Sequence, residues 1–523
     1  MGKITTKAVF KQYHPTQSLL LPSSLEELIP QHHLVRVVNT VIDRMDITAI
    51  INKYEGGGTS AYHPRMLLKV LLYGYCMKIY TGRRLAKALR EDVNFMWLAA
   101  YNKPDFRTIN LFRSGLLKDT IEDVFKSMLV FLMEQGYIKF ENYFCDGSTF
   151  GANANRHKMV WKKNAVRYKE ATEQKCKELF RQIEELNSSE ESTYGNCDLE
   201  ETGYHASQVM GEQIAAQVEK LDDIINNGQT KTIKRKARTI KKKLEEHQAS
   251  ISKYERQQKI SGQRSGYSKT DEDATAMKMK NDEILPAYNV LIGTEDQFIT
   301  NYSIHQKTND GACFKEHIEQ LETHTDHLPQ NVIADSIFGT EENSELLEQK
   351  GMKNYMKFPL YHKEQTRKYK SNPFNKDNFI YDRQTDTYTC PNNKQLLFRY
   401  IRKDKSKNGF ISHSRLYECE DCTGCPFADK CKKSIDNNRT ILVNEKLERH
   451  KQVMRKNLRT EKGDKLKRRR GQEVESCFGD LKMNQGFRRF GLRGKENVKT
   501  EAGILMISHN IRKIYLKSIK RAA

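Results

Sequence analysis

The sequence has no long apolar run. Its longest apolar stretch, Met128–Met133, is about a third of the ~18 residues that a membrane span needs, so we expect no transmembrane helix. The first fifteen residues contain no apolar signal core, and we therefore expect a chain that is not secreted. Apolar residues make up 37% of the 523 positions. That share is below the ~45–50% of typical globular chains, so part of the chain must be solvated, elongated or bound to a partner.

Acidic residues are scarce relative to basic ones. The chain has 67 Asp and Glu against 89 Lys and Arg, which gives a net charge of +22. An excess of this size suggests a polyanionic partner such as nucleic acid, although basic residues that only solvate the surface would give the same total. The eleven cysteines do not indicate a disulfide scaffold in a long chain that is not secreted. Four of them are clustered, which favours a metal site.

Residues 1–135 have the pattern of a helical domain. A capping-box start at Ser23–Glu27 precedes apolar residues that recur at helical spacing over Leu34–Met45. Short helices that present basic side chains can enter the major groove of DNA. The short helices predicted here carry Arg83, Arg84, Lys87, Arg90, Arg107 and Arg113. We expect this domain to bind DNA; a helical dimerisation bundle with a solvated basic face is the alternative.

Two β-prone stretches each stop at an aspartate. Ile138–Cys145 stops at Asp146, and Asn331–Ala334 stops at Asp335. Further strands are predicted at residues 288–292, 298–304 and 355–358, and helices at 312–324 and 341–350. Strands followed by alternating helices and strands predict a mixed α/β, or α+β, fold whose sheet is built from residues 136–154 and 281–360.

Residues 155–280 interrupt this sheet with a highly charged helical segment. Apolar residues there follow heptad spacing, which predicts an antiparallel coiled-coil hairpin with a turn at Asn226–Gly228 and an earlier helix, Trp161–Leu186, alongside. The seam residues are Ile214, Val218, Leu221, Ile225, Ile233, Ala237, Ile240, Leu244 and Ile251. Ser188–Tyr204 is predicted to be a loop. The run Lys231–Lys243 contains eight Lys or Arg and no acid, so contact with DNA stands beside a purely structural arm.

Residues 361–445 form a second interruption, which contains the cysteine cluster Cys419, Cys422, Cys425 and Cys431. Thiolates spaced two residues apart can converge tetrahedrally on Zn²⁺, and four of them leave no open position for catalysis. We therefore expect a structural zinc site. An iron–sulfur cluster and free cysteines in a reducing compartment are the alternatives. Cys390 lies upstream, and His413 is close in sequence.

Residues 446–523 are helical in pattern and very basic, with eleven Lys or Arg against two acids over residues 449–470. Arg468, Arg469 and Arg470 end that stretch, and a role in contacting phosphates fits them. Glu475 and Lys482 are seven residues apart, so both lie within about 20° on one helix face, whereas Glu473 lies about 200° from Glu475. A carboxylate for metal and an ammonium for phosphate are thus predicted to point into one site.

Aspartates at the ends of neighbouring strands suit a magnesium site. Mg²⁺ prefers carboxylate oxygens, and two such ions about 3.5–4 Å apart can clamp the attacking and leaving oxygens of a phosphodiester. The alternative is that Asp146 and Asp335 are turn residues. Asp271 and Asp273 are rival carboxylates, but Thr270 or Asp271 is better explained as the N-cap of a helix over Ala274–Met279.

Over nearly its whole length, the sequence resembles bacterial insertion-sequence transposases of the DDE type, which have an RNase H-like catalytic domain. Glu475 and Lys482 match the E-x6-K half of the Y-x2-R-x3-E-x6-K signature, and Tyr143–Gly147 and Val332–Gly339 match the two Asp strands. Similarity extends to Gly486–Gly494, which contains Arg488 and Arg489, and to Ser508–Ile511. The chain departs from the signature at position 471, which is Gly rather than Arg, with Arg470 one residue early. Position 468 is not Tyr.

The resemblance implies a catalytic triad of Asp146, Asp335 and Glu475 that holds two Mg²⁺ or Mn²⁺ ions, with Lys482 on a phosphate. It implies cleavage at the element's terminal inverted repeats and strand transfer to target DNA, by a homodimer on DNA in the bacterial cytoplasm and nucleoid. The expected DNA contacts are Arg83, Arg84, Lys87, Arg107, Arg468, Arg469, Arg470, Arg488 and Arg489. A catalytically silent DNA-binding protein and an RNase H-like nuclease without strand joining are the alternatives.

Overall fold

A computed structural model describes residues 24–54, 61–191, 211–227, 230–279, 281–432 and 436–522. It shows a mixed α+β architecture, in which a helical N-terminal region precedes an eight-stranded sheet and a separate five-stranded sheet. Among the helices of these residues, none combines the length and apolarity that crossing a membrane would require.

The N-terminal region is helical throughout its described part. Polar side chains, including those of Thr81 and Asp105, cap the backbone N–H groups that begin several of these helices. Its helices are α1 (Leu34–Arg44), α2 (Thr48–Ile51), α3 (Pro64–Cys76), α4 (Gly82–Glu91), α5 (Val93–Leu98), α6 (Phe106–Leu111) and α7 (Leu117–Glu134). A 3-10 turn at Leu25–Leu28 precedes them, and a π turn at Phe112–Leu116 joins α6 to α7.

The larger sheet has the order β2-β3-β4-β5-β1-β7-β8, and β6 also pairs with β5. Its strands are β1 (Asn142–Gly151), β2 (Met159–Trp161), β3 (Gly266–Ser268), β4 (Asp271–Lys278), β5 (Ile284–Glu295), β6 (Phe298–His305), β7 (Asn331–Ala334) and β8 (Lys353–Asn354). β1 runs antiparallel to β5 and parallel to β7, and β7 runs parallel to β8. Helices α11 (Phe314–His324) and α12 (Glu341–Gln349) follow β6 and β7, as the sequence predicts.

Three elements of this sheet differ from the sequence-based prediction. Strand β1 does not stop at Asp146 but continues to Gly151, because β5 pairs with it as far as Gly151. The helix expected over Ala274–Met279 is wrong: residues 274–278 belong to β4, where Thr275 pairs with Ala287 of β5 and with Tyr267 of β3. Pairing on both edges satisfies the backbone and overrides the local capping pattern. The strand expected at residues 355–358 is shorter and earlier, at Lys353–Asn354, although the Tyr355 amide still donates to the Val332 carbonyl at 2.9 Å.

A three-helix arm leaves the sheet between β2 and β3. It consists of α8 (Lys162–Glu191), α9 (Gly211–Asn227) and α10 (Lys231–Ser261). The predicted seam lies in a buried cluster that is separate from the main core, and Cys176, Leu179, Phe180 and Ile183 of α8 pack against it. Helix α8 continues through residues 188–191, which were expected to begin a loop. The rest of that loop, and Gly228 of the predicted turn, lie outside the described residues.

The cysteine-containing segment folds as a five-stranded antiparallel sheet with the order β13-β12-β11-β10-β9, which the sequence analysis did not predict. Its strands are β9 (Ile380–Asp382), β10 (Thr387–Thr389), β11 (Gln395–Lys405), β12 (Ile411–Cys419) and β13 (Thr440–Val443), with short helices α13 (Arg367–Lys370) and α14 (Ala428–Cys431). At the tip of the β11–β12 hairpin, the Asn408 side chain donates to the Ala312 carbonyl at 3.0 Å.

The C-terminal region returns to the main core. Helix α15 (Glu445–Arg459) leads to a single helical rod that contains α16 (Glu461–Arg470), a π turn at Gly471–Glu475, α17 (Ser476–Gly479) and a second π turn at Asp480–Asn484. The last helix, α18 (Lys495–Ala522), packs against α3, α7 and β6. It shares one continuous hydrophobic core with them and with the sheet.

Candidate active site

Asp146 and Asp335 lie side by side where the pairing of β1 with β7 ends: Asp146 lies within β1, and Asp335 directly follows β7. In the parallel pair β1–β7, Cys145 is the register partner of Ala334, and each aspartate is the next residue along its strand. Asp146 is the more enclosed, with 22% of its side chain exposed against 45% for Asp335. Burial raises the pKa of Asp146 to about 6, and the nearby Asp310 and Asp335 carboxylates add to the rise. The Gly147 N–H, 2.9 Å from Oδ1, and Arg470 oppose it.

Glu475 reaches the same place from the helical rod. It ends the π turn at Gly471–Glu475, and 60% of its side chain is exposed. The guanidinium of Arg470 lies among all three carboxylates. Its Nη2 is 3.1 Å from Glu475 Oε1 and 3.9 Å from Asp335 Oδ2, and its Nη1 is 3.4 Å from Asp146 Oδ2. The structure therefore brings the three predicted triad residues together around a single cation.

Lys482 contacts the same strand as Asp146. Its ammonium donates to Ser148 Oγ at 2.6 Å and to the Thr149 carbonyl at 2.7 Å, and it lies 4.3 Å from the centre of the Phe150 ring. Ser148 is two residues beyond Asp146, so their side chains share one face of the sheet. Lys482 thus holds its positive charge at the same face of β1 as the Asp146 carboxylate.

Glu473 points away from the triad. It is buried, and its carboxylate accepts a hydrogen bond from the Gln297 amide at 2.7 Å and pairs with Arg469 at 2.7 Å. Arg469 also pairs with Asp296. These contacts attach the helical rod to the β5–β6 turn, which is a structural role.

Two charged residues near the triad were missed by the sequence analysis. The Asp310 carboxylate lies against Gly147, where a Cβ would come within 2.6 Å of Asp310 Cγ, so a larger residue there would push the Asp310 side chain away. Burial raises the pKa of Asp310. Lys357 follows β8; burial lowers its pKa, and the nearby Asp335 counteracts that effect. Neither residue belongs to a sequence motif. Each reaches the site on a chain segment that is distant in sequence from the three carboxylates, so local pattern does not reveal it.

Asp271 and Asp273 have structural partners. Asp271 accepts from the Tyr288 hydroxyl at 2.9 Å and from the Gly494 amide at 3.2 Å. Asp273 accepts from the Lys495 amide at 2.8 Å. Both carboxylates hold the start of α18 against β4. The earlier interpretation of residues 270–271 as a helix cap is wrong, but a structural role for both aspartates fits these contacts.

The predicted DNA contacts occupy different environments. Arg83, Arg84 and Lys87 of α4 and Arg107 of α6 are exposed, as are Arg468, Arg488 and Arg489. Arg113 is instead buried, and donates to the Tyr80 carbonyl at 2.9 Å. The expectation of Arg113 on a DNA-binding surface is therefore wrong, because the π turn that ends at Leu116 directs it into the protein.

Five cysteines line one small cavity beside the second sheet: Cys390, Cys419, Cys422, Cys425 and Cys431. Cys390, which follows β10, is thus a fifth cysteine at this cavity. The sequence pattern did not include it in the cluster. The Arg439 amide donates to Cys422 Sγ at 3.3 Å, and the Asn392 side chain donates to Cys425 Sγ at 3.6 Å. His413 does not line this cavity.

No group of three or more His, Cys, Asp or Glu residues in the described ranges has an arrangement that could hold a metal ion. This holds for the triad and for the cysteine cavity. At the triad the reason is visible: the carboxylates surround a guanidinium at 3.1–3.9 Å, whereas Mg²⁺ needs oxygens at about 2.0–2.1 Å.

Comparison with known families adds an independent finding. Residues 389–515 match a family model described as Transposase DDE domain, and residues 23–115 match one described as Transposase domain (DUF772). No curated protein matches the chain. The first match includes Glu475, Lys482 and the cysteine cluster; Asp146 and Asp335 lie outside both. Together the matches support a bacterial insertion-sequence transposase family and an enzyme that acts on DNA.

Proposed function

We propose that this chain is a DDE transposase that binds the terminal inverted repeats of its element, cleaves the ends and transfers strands to target DNA. The observation that carries the proposal is the convergence of Asp146, Asp335 and Glu475, from two strands and one helix, at the face where Lys482 lies. The strand order supports an RNase H-like catalytic domain, since β6, β5 and β1 are antiparallel and β7 and β8 continue parallel to β1.

By their chemistry the three carboxylates suit the divalent ions that this function requires, although their oxygens would have to move closer together to bind one. Three carboxylates already surround one cation, the Arg470 guanidinium, which stands in for the metal. In this proposal Asp146, Asp335 and Glu475 hold two Mg²⁺ or Mn²⁺ ions, which activate water and stabilise both oxygens of the phosphodiester exchange when bound. Lys482 neutralises a phosphate at the adjacent position on β1.

The exposed cations provide surfaces for DNA. Arg83, Arg84 and Lys87 lie on α4, a helix with a buried apolar side and an exposed basic side, and we assign it to recognition of the terminal repeats. Arg468, Arg488 and Arg489 lie near the catalytic face and suit phosphate contacts. We also propose that the arm is a coiled-coil insertion, because its three helices bury a heptad seam of their own, and that two copies act together on DNA.

For the cysteine cavity we propose a structural Zn²⁺ held by four of the five thiolates that line it. The Arg439 backbone N–H donates to Cys422, and the Asn392 side-chain amide donates to Cys425. In this proposal these hydrogen bonds stabilise thiolates rather than thiols. Elemental analysis of the purified, reduced protein is expected to give about one zinc per chain. Iron in place of zinc would indicate a cluster, and the absence of both metals would remove the site.

The experiment that tests the function supplies the protein with labelled DNA of its element's end, a target plasmid and Mg²⁺. Cleavage at the end followed by a joined product is expected. Cleavage without joining would identify a nuclease, and specific binding without cleavage would identify a catalytically silent DNA-binding protein. Inverted repeats in the DNA that flanks the gene supply the substrate for this test.

A further inference from the structure

We propose that Arg470 is an internal counter-ion that occupies the catalytic cation site until divalent metal displaces it. This inference rests on the proposed function and adds a regulatory step to it. The side chain of Arg470 is 13% exposed, and it forms ion pairs with Asp146, Asp335 and Glu475. One guanidinium therefore neutralises part of the charge that three neighbouring carboxylates would otherwise hold in an enclosed site.

The guanidinium and the metal compete for one space. Carboxylate oxygens that contact nitrogens at 3.1–3.9 Å must move inward to reach the ~2.0–2.1 Å of a Mg²⁺–oxygen bond. A guanidinium among them would then lie next to a divalent cation, and like charges at so short a distance repel each other. Metal entry therefore requires Arg470 to swing out.

Arg470 differs from its basic neighbours in the carboxylates with which it forms ion pairs. Arg468 pairs with Asp464 one helical turn earlier, and Arg469 pairs with Glu473 and Asp296. Of these three consecutive arginines, the structure directs Arg470 to the triad. It is the last residue of α16, immediately before the π turn that ends at Glu475. The backbone thus places the counter-ion and the carboxylate that it pairs with at the two ends of one π turn.

Displacement gives Arg470 a second position. Once released, the guanidinium stays beside the catalytic face, where a bound DNA phosphate offers it a bidentate partner. Because the ion pairs must break first, the apparent metal affinity of the free protein is reduced by the fraction of molecules in which the site is open. DNA that attracts the guanidinium would raise that fraction, so metal and DNA are expected to bind cooperatively.

The test measures metal binding without strand chemistry. Mn²⁺ is titrated into the full chain without DNA, and free Mn²⁺ is followed by electron paramagnetic resonance for the wild type, Arg470→Gln and the matched control Arg468→Gln. Arg470→Gln is expected to bind Mn²⁺ about tenfold more tightly, the factor for a site that is open about one-tenth of the time. Arg468→Gln is expected to match the wild type. Arg470→Lys, which keeps one charge but lacks the planar fork, is expected to fall between.

The outcomes separate this proposal from the proposed function. Equal or weaker Mn²⁺ binding by Arg470→Gln and Arg470→Lys, with binding that Asp146→Asn removes, would overturn the counter-ion role and leave the metal site standing. Absence of saturable binding in every variant would overturn both. Thermal unfolding gives a second readout: Mn²⁺ is expected to raise the Tm of Arg470→Gln more than that of the wild type.

Discussion

At the scale of single residues, the three triad carboxylates differ in how far water reaches them. The exposed share of the side chain rises from 22% at Asp146 through 45% at Asp335 to 60% at Glu475. The most enclosed carboxylate has a raised pKa, because burial penalises its charged form. A divalent ion would remove that penalty by pairing with the charge.

Substitution of the triad is expected to separate chemistry from binding. Asp146→Asn, Asp335→Asn and Glu475→Gln should each lower end cleavage by about a thousandfold or more, because each removes a carboxylate that the transition state needs. The Kd for end DNA should change little, since the basic surfaces are untouched. Cleavage of labelled ends and fluorescence anisotropy measure the two quantities on the same preparations.

Glu473→Gln is the matched control on the same helical rod. Its buried carboxylate accepts from the Gln297 amide and pairs with Arg469, so the substitution should cost on the order of 2 kcal/mol of stability. Cleavage at a temperature below its Tm should persist. If Glu473→Gln abolished cleavage and Glu475→Gln did not, the assignment of the third carboxylate would be wrong.

Behind Asp146, buried histidines hold β1 in place. The Tyr143 hydroxyl is 2.7 Å from His317 Nε2, and His317 Nδ1 is 2.6 Å from Ser303 Oγ, which is in turn 2.7 Å from His305 Nε2. Burial lowers the pKa of His317 well below its usual value and that of His324 to about 3. These histidines are therefore neutral in the folded protein at neutral pH.

Stability should fall on acidification for this reason. A histidine whose pKa is lower in the folded than in the unfolded chain takes up a proton on unfolding, so its contribution is complete above pH ~6.5 and is lost progressively as the pH falls below that value. His317→Gln should lower the Tm at pH 7.5 yet flatten the decline below pH 6.5, by up to about 1.4 kcal/mol per pH unit. The exposed His157, changed to Gln, is the control; parallel profiles for His317→Gln and wild type would contradict this account.

At the scale of elements, the course of the helical rod that carries Glu475 and Lys482 depends on its two π turns. Each π turn inserts one extra residue into an α-helix and changes the direction of the residues that follow. One ends at Glu475 and the other contains Lys482. The straight helix assumed from the sequence would give both residues nearly one direction, whereas the rod delivers Glu475 to the carboxylates and Lys482 to Ser148 and Thr149.

The arm carries a stripe of exposed cations opposite its apolar seam. Lys231, Arg235, Arg238 and Lys242 are exposed and follow 4-3-4 spacing along about 16 Å of α10. Ala237, Ile240 and Leu244 are buried on the other side of the same helix. A row of cations with this regular spacing suits a nucleic-acid backbone.

Replacing these four cations with Gln is expected to reduce the salt dependence of DNA binding. If each contacts one phosphate, the slope of log K against log salt should fall by about 3–4. The matched control removes four exposed cations beside the second sheet: Lys363, Arg367, Lys368 and Lys370. Anisotropy titrations over a range of salt concentrations measure both slopes. A slope equal to that of the wild type would make the arm purely structural.

At the scale of the whole molecule, the N-terminal helices and the larger sheet share one hydrophobic core, so we expect them to form one folding unit. The Ser508 hydroxyl of α18 donates to the Leu72 carbonyl of α3 at 3.2 Å, and Arg512 donates to the Cys76 carbonyl at 3.0 Å. The Tyr75 hydroxyl donates to the buried Glu501 at 3.1 Å. The arm and the second sheet, in contrast, have small cores of their own.

Gly503 lies where α18, α7 and β6 meet. A substitution there tests whether the N-terminal helices and the sheet unfold together. A Cβ there would come within 2.4 Å of Ile121 Cγ1 and 2.5 Å of the Tyr302 hydroxyl, so Gly503→Ala should cost about 1–3 kcal/mol. Calorimetry should show the N-terminal helices and the sheet unfolding together at a lower Tm. Gly479→Ala, a helical position with no atom within 4 Å of the added Cβ, should be neutral or stabilising by up to about 1 kcal/mol. An unshifted separate transition for the N-terminal helices would contradict a shared core.

The sequence alone determined the features that depend on local pattern. The aspartates that follow two β-prone stretches, the apolar seam of the arm and the spacing of Glu475 and Lys482 can all be identified within windows of a few to about thirty residues. The resemblance to transposases rests on those same windows, and the family matches at residues 23–115 and 389–515 support it.

The tertiary structure decided what depends on contacts between distant segments. It made residues 274–278 a strand, because β3 and β5 offer hydrogen-bond partners on both edges. It brought Asp310, Lys357 and Cys390 to sites that cannot be predicted from the residues next to them in the sequence. It also placed Arg470 among the three carboxylates, because packing across the sheet, and not spacing in the sequence, sets the direction of this side chain.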